Sequence, residues 1–202
     1  QQWKLCFVMT KNDCVLAWKD TLTQSIVAGC DCIQVREKEI STQDLIKHVQ
    51  EVKEIADVYG VQVVVNDRVD VALATKVAGV HLGEEDMPIQ DARKLCGPEY
   101  IIGATVHDPE KISEFISCGA DYVGVGAMFA SQTKPNVQIA PLGLLKNAIA
   151  YNHLAVGGIT PKNVQQLYRV GCKGVAVSSA IANADYPDKV VMSILHTEHQ
   201  ST

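Results

Sequence analysis

Two cations and an amide stand at alternate positions in residues 34–38, which read Gln-Val-Arg-Glu-Lys. If this segment ends a β-strand, Gln34, Arg36 and Lys38 lie on one side of the strand and leave the sheet together. Two neighbouring cations favour an anionic ligand, and a diphosphate suits them because arginine offers a planar fork and lysine a mobile point charge. The alternative is a solvated strand end whose own glutamates balance the charge.

Two aspartates follow the next two strand-like segments. Asp67 comes directly after Asn66, and Asp86 lies in the loop after the following segment. Mg²⁺ takes oxygen ligands and is usually bound by one or two carboxylates together with substrate phosphates. Beside Arg36 and Lys38, the two aspartates therefore predict a magnesium diphosphate site. The alternative is that each aspartate caps the helix that follows it.

Two histidines and a threonine lie near the same strand ends. Thr105 is placed to donate a hydrogen bond to a phosphate. His107 is expected to reach the same end of the sheet, where it could serve as a general base or be a loop residue oriented by Asp108. His81 lies in mid-strand beside Gly79, and a lone histidine there is more often a hydrogen-bonded core residue than a ligand.

A long connection runs from Gly126 to about residue 140. Loops of this length at the active face of an enzyme usually have a task such as closing over a ligand. Ser131, Thr133 and Lys134 supply two hydroxyls and a cation there, which predicts contacts with a ligand. A flexible surface loop is the alternative.

A repeated rhythm along the chain positions these residues. Short β-branched apolar runs alternate with segments of helical spacing, and the runs are continuous, as expected of parallel strands covered on both faces. Ser41, Asp108-Pro109 and Thr160-Pro161 carry helix-start signals, and Gly119 and Gly171 are placed as helix ends. We predict eight strands, at residues 4–9, 32–36, 61–66, 79–82, 100–106, 122–125, 153–156 and 174–177.

Eight strand–helix units in 202 residues predict the α/β class and a single (β/α)8 TIM barrel, forming one catalytic domain over residues 1–202. A doubly wound open sheet is the alternative. It would normally carry a glycine-rich turn after the first strand, whereas residues 9–13 read Met-Thr-Lys-Asn-Asp. A barrel brings the carboxyl ends of all its strands to one open end, so the polar residues above should meet there.

Pairs of small residues close the last two strands of this barrel. Gly157-Gly158 ends the seventh strand, and Ser178-Ser179 ends the eighth. TIM barrels commonly bind phosphate through backbone N–H groups of these two loops and a nearby helix N-terminus. Glycine lets the backbone approach the ligand closely. The two pairs together predict a second anion site, apart from the cluster of cations and aspartates.

The composition excludes several kinds of partner. The net charge of −5 gives no bulk attraction to nucleic acid or anionic lipid, and no apolar run is long enough to span a membrane. We therefore expect no nucleic-acid and no membrane partner, while a homo-oligomer stays open. Residues 1–9 lack the pattern of a secretory signal, and a start at Gln1 suggests that the natural beginning is omitted. The seven scattered cysteines favour reduced thiols in a cytoplasmic protein over disulfides or a zinc site.

Six motifs, at residues 34–38, 66–70, 79–88, 124–134, 157–163 and 174–181, match a known family in order and at similar spacing. On these motifs the chain resembles thiamine phosphate synthases along nearly its whole length. Three features depart from the family pattern. Thr105 stands where serine is usual and keeps the hydroxyl, Ala127, Ala130 and Ser131 replace the usual proline and threonine of the loop, and Ser178 replaces an apolar residue.

The resemblance implies a transferase of the thiamine phosphate synthase type with Mg²⁺ as its cofactor. Its two small-molecule substrates would be 4-amino-2-methyl-5-(diphosphooxymethyl)pyrimidine and 4-methyl-5-(2-phosphooxyethyl)thiazole, or the carboxylated form of the thiazole. The reaction of the family is dissociative. Diphosphate leaves first, and the thiazole nitrogen captures the resulting pyrimidinylmethyl cation to give thiamine phosphate.

Carried over residue by residue, the resemblance implies three sets of site residues. The pyrimidine diphosphate would be held by Gln34, Val35, Arg36, Glu37, Lys38, Asn66, Thr105 and Lys134. Within this set, the candidate catalytic residues are Arg36, Lys38, Thr105 and Lys134. The thiazole phosphate would be held by Ser131, Gln132, Thr133, Gly158, Ser178 and Ser179, and Mg²⁺ by Asp67 and Asp86.

Two other functions stay open at this point. A thiazole tautomerase, which is an isomerase on the same barrel, would use His107 but would have no need for a magnesium diphosphate cluster. A non-catalytic barrel that binds a phosphate ligand is the second. Degeneration usually removes charged groups that are unfavourable to keep together, yet Lys38, Asp67, Asp86 and Lys134 are all present.

Overall fold

The computed structural model describes residues 2–197, and in this range eight parallel strands close into a barrel. Each strand pairs with its neighbours in the sequence, and β1 pairs with β8 to complete the barrel. The predicted (β/α)8 barrel is confirmed, with every predicted strand end within one residue of the observed end. The strands are β1 (Leu5–Met9), β2 (Cys32–Val35), β3 (Gln62–Asn66), β4 (Gly79–Leu82), β5 (Ile101–Val106), β6 (Tyr122–Val125), β7 (His153–Val156) and β8 (Val175–Val177).

Helices connect successive strands across the outside of the barrel. Two single-turn 3-10 helices, Lys11–Asp13 and Pro109–Lys111, precede α1 and α5. The α-helices of residues 2–197 are α1 (Trp18–Val27), α2 (Thr42–Val58), α3 (Val69–Thr75), α4 (Ile89–Cys96), α5 (Ile112–Cys118), α6 (Leu142–Ala148), α7 (Val164–Val170), α8 (Ser179–Ala182) and α9 (Pro187–Thr197).

Local side-chain chemistry explains where several helices begin and end. The Ser41 hydroxyl accepts the Asp44 N–H at 3.1 Å at the start of α2, and the Asp108 carboxylate accepts the Glu110 N–H at 2.9 Å. Gly119 ends α5 with a φ of 117°, in the left-handed region that glycine adopts without strain. The expected start of α7 at Pro161 is wrong. The helix begins at Val164 because Thr160 first forms a turn, in which its hydroxyl accepts the Lys162 N–H at 3.2 Å.

Alternation along the strands divides the core into two layers. Outward-facing residues such as Phe7 and Ile33 pack against the helices in a large apolar layer. Inward-facing residues fill the barrel itself, as expected for a barrel of eight strands. This inner cluster consists of Trp3, Cys6, Val8, Cys32, Val64, Tyr122, Leu154 and Ala176. The filled interior forms a floor, so polar residues at the carboxyl ends of the strands stand above it.

Two further expectations concern the cysteines and membrane spans. All seven cysteines lie within residues 2–197, and they form no disulfide with one another. Among the helices of the same range, none combines the length and the apolar character needed to cross a bilayer.

Candidate active site

A cavity of about 580 Å³ opens at the carboxyl ends of the strands. Its walls come from β1–β8 and the loops that follow them, so residues that are far apart in the sequence face one space. The cavity is lined by these predicted site residues: Gln34, Arg36, Lys38, Asn66, Asp86, Thr105, Ser131, Thr133, Lys134, Gly158, Ser178 and Ser179. The remaining predicted residues, Val35, Glu37, Asp67 and Gln132, are not part of this lining.

The end of β2 supplies the amide and two of the cations. Gln34 is 5% exposed, and its side-chain oxygen accepts a hydrogen bond from the Asn66 amide at 3.0 Å, which links β2 to β3. The strand end is tied to β1 because the Thr10 hydroxyl donates to the Arg36 carbonyl at 2.6 Å. Within residues 2–197, neither Arg36 nor Lys38 forms a salt bridge with a carboxylate. Both charges are therefore available to an anionic ligand.

Glu37 lies between these two cations but turns away from them. Its carboxylate accepts the Lys11 N–H at 2.7 Å and lies 3.4 Å from Nε2 of His48, and its side chain is 7% exposed. Val35 is buried in the outer apolar layer. Any contact of Val35 or Glu37 with a ligand must use the backbone. The idea that the glutamate balances its neighbouring cations is wrong, because it instead anchors the loop after β1.

Asp67 and Asp86 meet beside this cation group. The pKa of the Asp67 carboxyl is raised because it is withdrawn from water and hydrogen-bonded to Asp86, with Lys38 and Arg68 acting in the opposite direction. Asp86 is held in place by the Gly83 N–H, which donates to its carboxylate at 2.6 Å. Neither α3 nor α4 has a side-chain cap at its first turn, so the aspartates do not serve as helix caps.

The pair of carboxylates fits a magnesium ion. A divalent cation relieves the repulsion between two adjacent carboxylates, and Mg²⁺ is usually bound by one or two of them together with waters and phosphate oxygens. The part of the chain from residue 2 to 197 offers no cluster of three or more histidine, cysteine or acidic side chains for a metal. Asp67 and Asp86 alone would therefore leave most ligand positions to water and substrate.

His81 lies on the cavity floor between two hydroxyl groups. Its Nδ1 is 2.9 Å from the Tyr122 hydroxyl, and its Nε2 is 2.9 Å from the Thr105 hydroxyl. Burial lowers the pKa of this imidazole to about 4, against a weaker opposing effect of Asp86, so the ring is neutral. The prediction of a hydrogen-bonded core histidine is confirmed, but the same residue also lines the cavity.

His107 does not reach the cavity, contrary to the expectation. Its Nε2 lies 3.8 Å from Oε1 of Glu84, and both side chains are more than half exposed. Asp108 does not orient this ring, since its carboxylate caps the following 3-10 helix. The histidine that a tautomerase would need is therefore outside the site.

The loop after β6 forms the opposite wall of the cavity. The Ser131 hydroxyl lies 3.1 Å from the Thr133 hydroxyl and accepts the Lys134 N–H at 3.1 Å, so these residues form a local turn. The start of the loop is bound to β7, since the Met128 N–H donates to the Val156 carbonyl at 2.9 Å. Gly158 has a φ of 64°, and a Cβ there would lie 2.5 Å from the Phe129 carbonyl oxygen. Glycine is therefore required at this position both by the packing of the loop and by the positive φ.

Comparisons with known proteins identify the family. A family model described as thiamine monophosphate synthase matches residues 5–181. The thiamine-phosphate synthase of Vibrio parahaemolyticus is 38% identical over 181 residues, which cover 88% of this chain and 89% of that protein. The thiamine-phosphate synthase of Ruminiclostridium cellulolyticum is 39% identical over 166 residues, which cover 81% and 79%.

The chain belongs to the thiamine monophosphate synthase family. The solved structure of thiamine phosphate pyrophosphorylase from Pyrococcus furiosus agrees, with a TM-score of 0.87, 29% identity, and coverage of 98% of this chain and 96% of that one. As a member of this family the chain is a transferase of thiamine biosynthesis. The comparisons do not support the alternatives of a tautomerase or a non-catalytic barrel.

The cavity also contains residues that the sequence interpretation missed. Besides His81, they include Thr10 and Asp13 after β1 and Asn183 after α8. Each follows a strand or helix end, where threonine, aspartate and asparagine are common for reasons of turn and cap chemistry alone. The one available signal was position, because every residue that follows a barrel strand at its carboxyl end is a candidate for the site.

Proposed function

We propose that this member of the family joins 4-amino-2-methyl-5-(diphosphooxymethyl)pyrimidine to 4-methyl-5-(2-phosphooxyethyl)thiazole, giving thiamine phosphate and diphosphate. The carboxylated form of the thiazole would give the same products together with CO2. One observation carries the proposal: a single cavity has two sides of different chemistry. Arg36, Lys38 and Asp86 line it at the ends of β2 and β4, where Asp67 stands beside Asp86. The ends of β6–β8 present hydroxyls, backbone that a ligand can approach closely, and one further cation, Lys134. Two anionic substrates that must react with each other need both sides in one space.

The pyrimidine diphosphate is assigned to the first side. Arg36 and Lys38 of this side, together with Lys134 of the loop after β6, would neutralise its phosphate oxygens, and Thr105 at the end of β5 would donate a hydrogen bond to one of them. Asp67 and Asp86 would hold Mg²⁺, which when bound adds positive charge to the diphosphate. The Gln34–Asn66 amide pair borders the same space and leaves unused hydrogen-bonding capacity for the ring.

The thiazole phosphate is assigned to the second side. Ser131 and Thr133 offer hydroxyls, and Gly158, Ser178 and Ser179 line the cavity where backbone N–H groups can approach a phosphate. No cation stands among these five residues. These five residues would hold a phosphate monoester through neutral donors, while Lys134 of the same loop is assigned to the diphosphate.

The reaction needs little chemistry from the protein itself. The bond between the pyrimidine methylene carbon and the diphosphate oxygen breaks, and its electron pair leaves with the diphosphate. The lone pair of the thiazole nitrogen then forms the new bond to that carbon. With the thiazole phosphate itself no proton transfer and no covalent enzyme intermediate are required. With the carboxylated form the ring must also lose CO2 and take up a proton at the same carbon. The chain must neutralise the leaving group, align the two rings and keep water from the carbon. Apolar residues of the cavity, among them Val8 and Leu154, serve the last task.

The cellular setting is part of the same proposal. We propose a single catalytic domain that acts in the cytoplasm, where thiols stay reduced. The seven cysteines, which form no disulfide with one another, support a reducing compartment. The assigned site requires residues of one chain only, so the activity is compatible with a monomer and with a homo-oligomer.

The test is to incubate the purified protein with both substrates, with and without Mg²⁺, and to measure thiamine phosphate. We expect product that depends on Mg²⁺. Asp67→Asn should lower the rate at least about 10- to 100-fold, as expected when a metal site is disturbed. Asp91→Asn, the same change at an exposed position in α4, is the matched control and should behave like wild type. No product in the presence of metal, or an Asp67→Asn variant as active as wild type, would rule out this assignment.

A further inference from the structure

Three side chains from three strands form a hydrogen-bonded row under the cavity. Tyr122 of β6 contacts Nδ1 of His81, and Nε2 of His81 contacts the Thr105 hydroxyl on β5, with both distances 2.9 Å. Tyr122 belongs to the filled interior of the barrel and packs edge-on against Trp3, with ring centroids 5.3 Å apart. Thr105 stands at the other end of the row, in the cavity wall. The row therefore links the closed core to the open site.

Two glycines make room for this row. A Cβ at Gly103 would overlap the ring of Tyr122, and a Cβ at Gly124 would lie 3.0 Å from Cε1 of His81. Any other residue at position 103 would push the tyrosine ring away from the histidine. The backbone of β5 and β6 is thus shaped to hold the two rings where they stand.

The direction of the hydrogen bonds follows from the burial of Tyr122. Its side chain is 2% exposed, and among residues 2–197 the His81 nitrogen is the one hydrogen-bond partner of its hydroxyl. A buried hydroxyl hydrogen left without an acceptor is unfavourable, so the tyrosine donates to Nδ1. The hydrogen of the neutral ring then sits on Nε2, which donates to Thr105. The Thr105 oxygen is already an acceptor, and its own hydrogen remains free to point into the cavity.

We infer that Tyr122 and His81 are positioning residues that fix Thr105 as a hydrogen-bond donor to a phosphate oxygen of the pyrimidine diphosphate. The inference rests on the proposed function for the identity of that ligand. If both hydrogen bonds ran the other way, the Thr105 hydroxyl would donate to Nε2 of His81, and only its oxygen lone pairs would face the cavity. Lone pairs repel an anionic oxygen, whereas a donor stabilises it. The buried Tyr122 thus makes the Thr105 hydroxyl a donor towards the cavity, although the two side chains do not touch.

The experiment is a double-mutant cycle of Tyr122→Phe and Thr105→Val, with initial rates measured for varied pyrimidine diphosphate. Tyr122→Phe keeps the ring and its packing but removes the donor. We expect kcat/KM for the pyrimidine diphosphate to fall about 10- to 100-fold, the size expected for a hydrogen bond to a charged group. The KM for the thiazole phosphate should stay unchanged, because that substrate is assigned to the other wall.

The decisive readout is whether the two changes act together. In the Thr105→Val background the tyrosine substitution should cost no further activity, since the group that it orients is gone. In a Thr105→Ser background, which keeps a hydroxyl, the sensitivity to Tyr122→Phe should return. Tyr186→Phe, at an exposed tyrosine before α9, is the matched control and should match wild type. The melting temperature of each variant reports any separate loss of stability.

The possible results distinguish a failure of the positioning role from a failure of the proposed function. An equal loss from Tyr122→Phe in the wild-type and Thr105→Val backgrounds, or no loss in either, overturns the positioning role. If wild type makes no thiamine phosphate, the proposed function fails, and the positioning role is then decided by calorimetric binding of inorganic diphosphate with Mg²⁺. The positioning role is supported if Tyr122→Phe weakens diphosphate binding in the wild-type background but not in the Thr105→Val background. It is overturned if Tyr122→Phe leaves diphosphate binding unchanged.

Discussion

Arg36 and Lys38 share a strand end with Glu37, yet the three side chains have different surroundings. The two cations face the cavity, while the glutamate is buried against the loop after β1 and close to His48. Alternation along the strand produces this separation, because neighbouring residues point to opposite sides. One short segment thus supplies ligand-binding charge on one face and an anchor for a neighbouring loop on the other.

Replacing Lys38 by methionine tests the charge at this position. The Lys38→Met side chain has a similar length but no charge, so affinity for diphosphate in the presence of Mg²⁺ should fall about 10- to 100-fold, measured by calorimetry. Lys47→Met, at an exposed position of α2, is the control and should leave the affinity unchanged. Equal affinities in the wild type and Lys38→Met would mean that this lysine does not face the anion.

Single residues also show how far the sequence could be interpreted. Gln34, Arg36 and Lys38 were predictable as a group, because strand alternation is a local property. The role of His81 was not, since its partners Tyr122 and Thr105 lie on other strands and only the closed barrel brings them together. The prediction that His107 reaches the cavity is wrong for the same reason, because the orientation of its ring depends on Glu84 in a different loop.

Strand β7 and the loop after β6 act as one element at the cavity wall. The Met128 and Phe129 N–H groups donate to the carbonyls of Val156 and Gly157 at 2.9 and 3.0 Å. The Asn163 amide holds the other side of this strand end by donating to the Gly158 carbonyl at 2.8 Å. The position of Ser131 and Thr133, further along the loop, therefore depends on the backbone at the end of β7.

Gly158→Ala should disturb this element. The new Cβ would lie within about 2.5–3.0 Å of two loop carbonyl oxygens, and φ at this position is positive. We expect a loss of about 1–3 kcal/mol in the free energy of unfolding and a higher KM for the thiazole phosphate. Urea unfolding and initial rates measure the two effects.

Gly143→Ala provides the matched comparison for this glycine substitution. A Cβ at Gly143, in α6, meets no atom within 4 Å, so the same change should be neutral or stabilising by up to about 1 kcal/mol. If Gly158→Ala were as stable and as active as Gly143→Ala, the proposed coupling of β7 to the loop would be wrong.

At the level of elements, the sequence predicted the strands closely and the loops less well. Continuous apolar runs mark buried parallel strands, so all eight ends agree within one residue. The start of α7 was missed because Thr160, Pro161 and Asn163 form a turn that carries the same residue types as a helix start. Turn and cap chemistry overlap, and only the tertiary contacts decide between them.

Across the whole molecule, His81 and His153 connect the fold to pH. His153 of β7 lies near the opposite end of the barrel, where Nδ1 donates to the Tyr151 carbonyl at 2.9 Å and Nε2 accepts the Lys173 N–H at 3.0 Å. Burial lowers the pKa of this ring, as it does for His81, whose pKa falls to about 4. Both rings are neutral in the folded chain at neutral pH.

Acid should therefore destabilise the fold before the carboxylates are protonated. In the unfolded chain each of these two histidines takes up a proton near pH 6.5, whereas in the folded chain its lowered pKa delays protonation to a lower pH. The unfolded state then binds more protons, so the free energy of unfolding falls as pH is lowered from about 6.5 towards 4, by roughly 1–3 kcal/mol. Urea unfolding across this range measures the slope.

Two histidine variants test whether His153 causes the loss of stability in acid. His153→Gln should have a shallower slope than wild type, whatever its stability at neutral pH. His196→Gln, at an exposed position of α9, should keep the wild-type slope. A free energy of unfolding that stays constant on acidification, or an unchanged slope in His153→Gln, would contradict this role.

The joining of two substrates in one cavity is tested most directly by following both products in one reaction. Phosphorus NMR of the purified protein with both substrates and Mg²⁺ should show thiamine phosphate and diphosphate appearing in equal amounts. Omission of either substrate should abolish thiamine phosphate. Diphosphate release without thiamine phosphate when both substrates are present, or no turnover at all, would contradict the account.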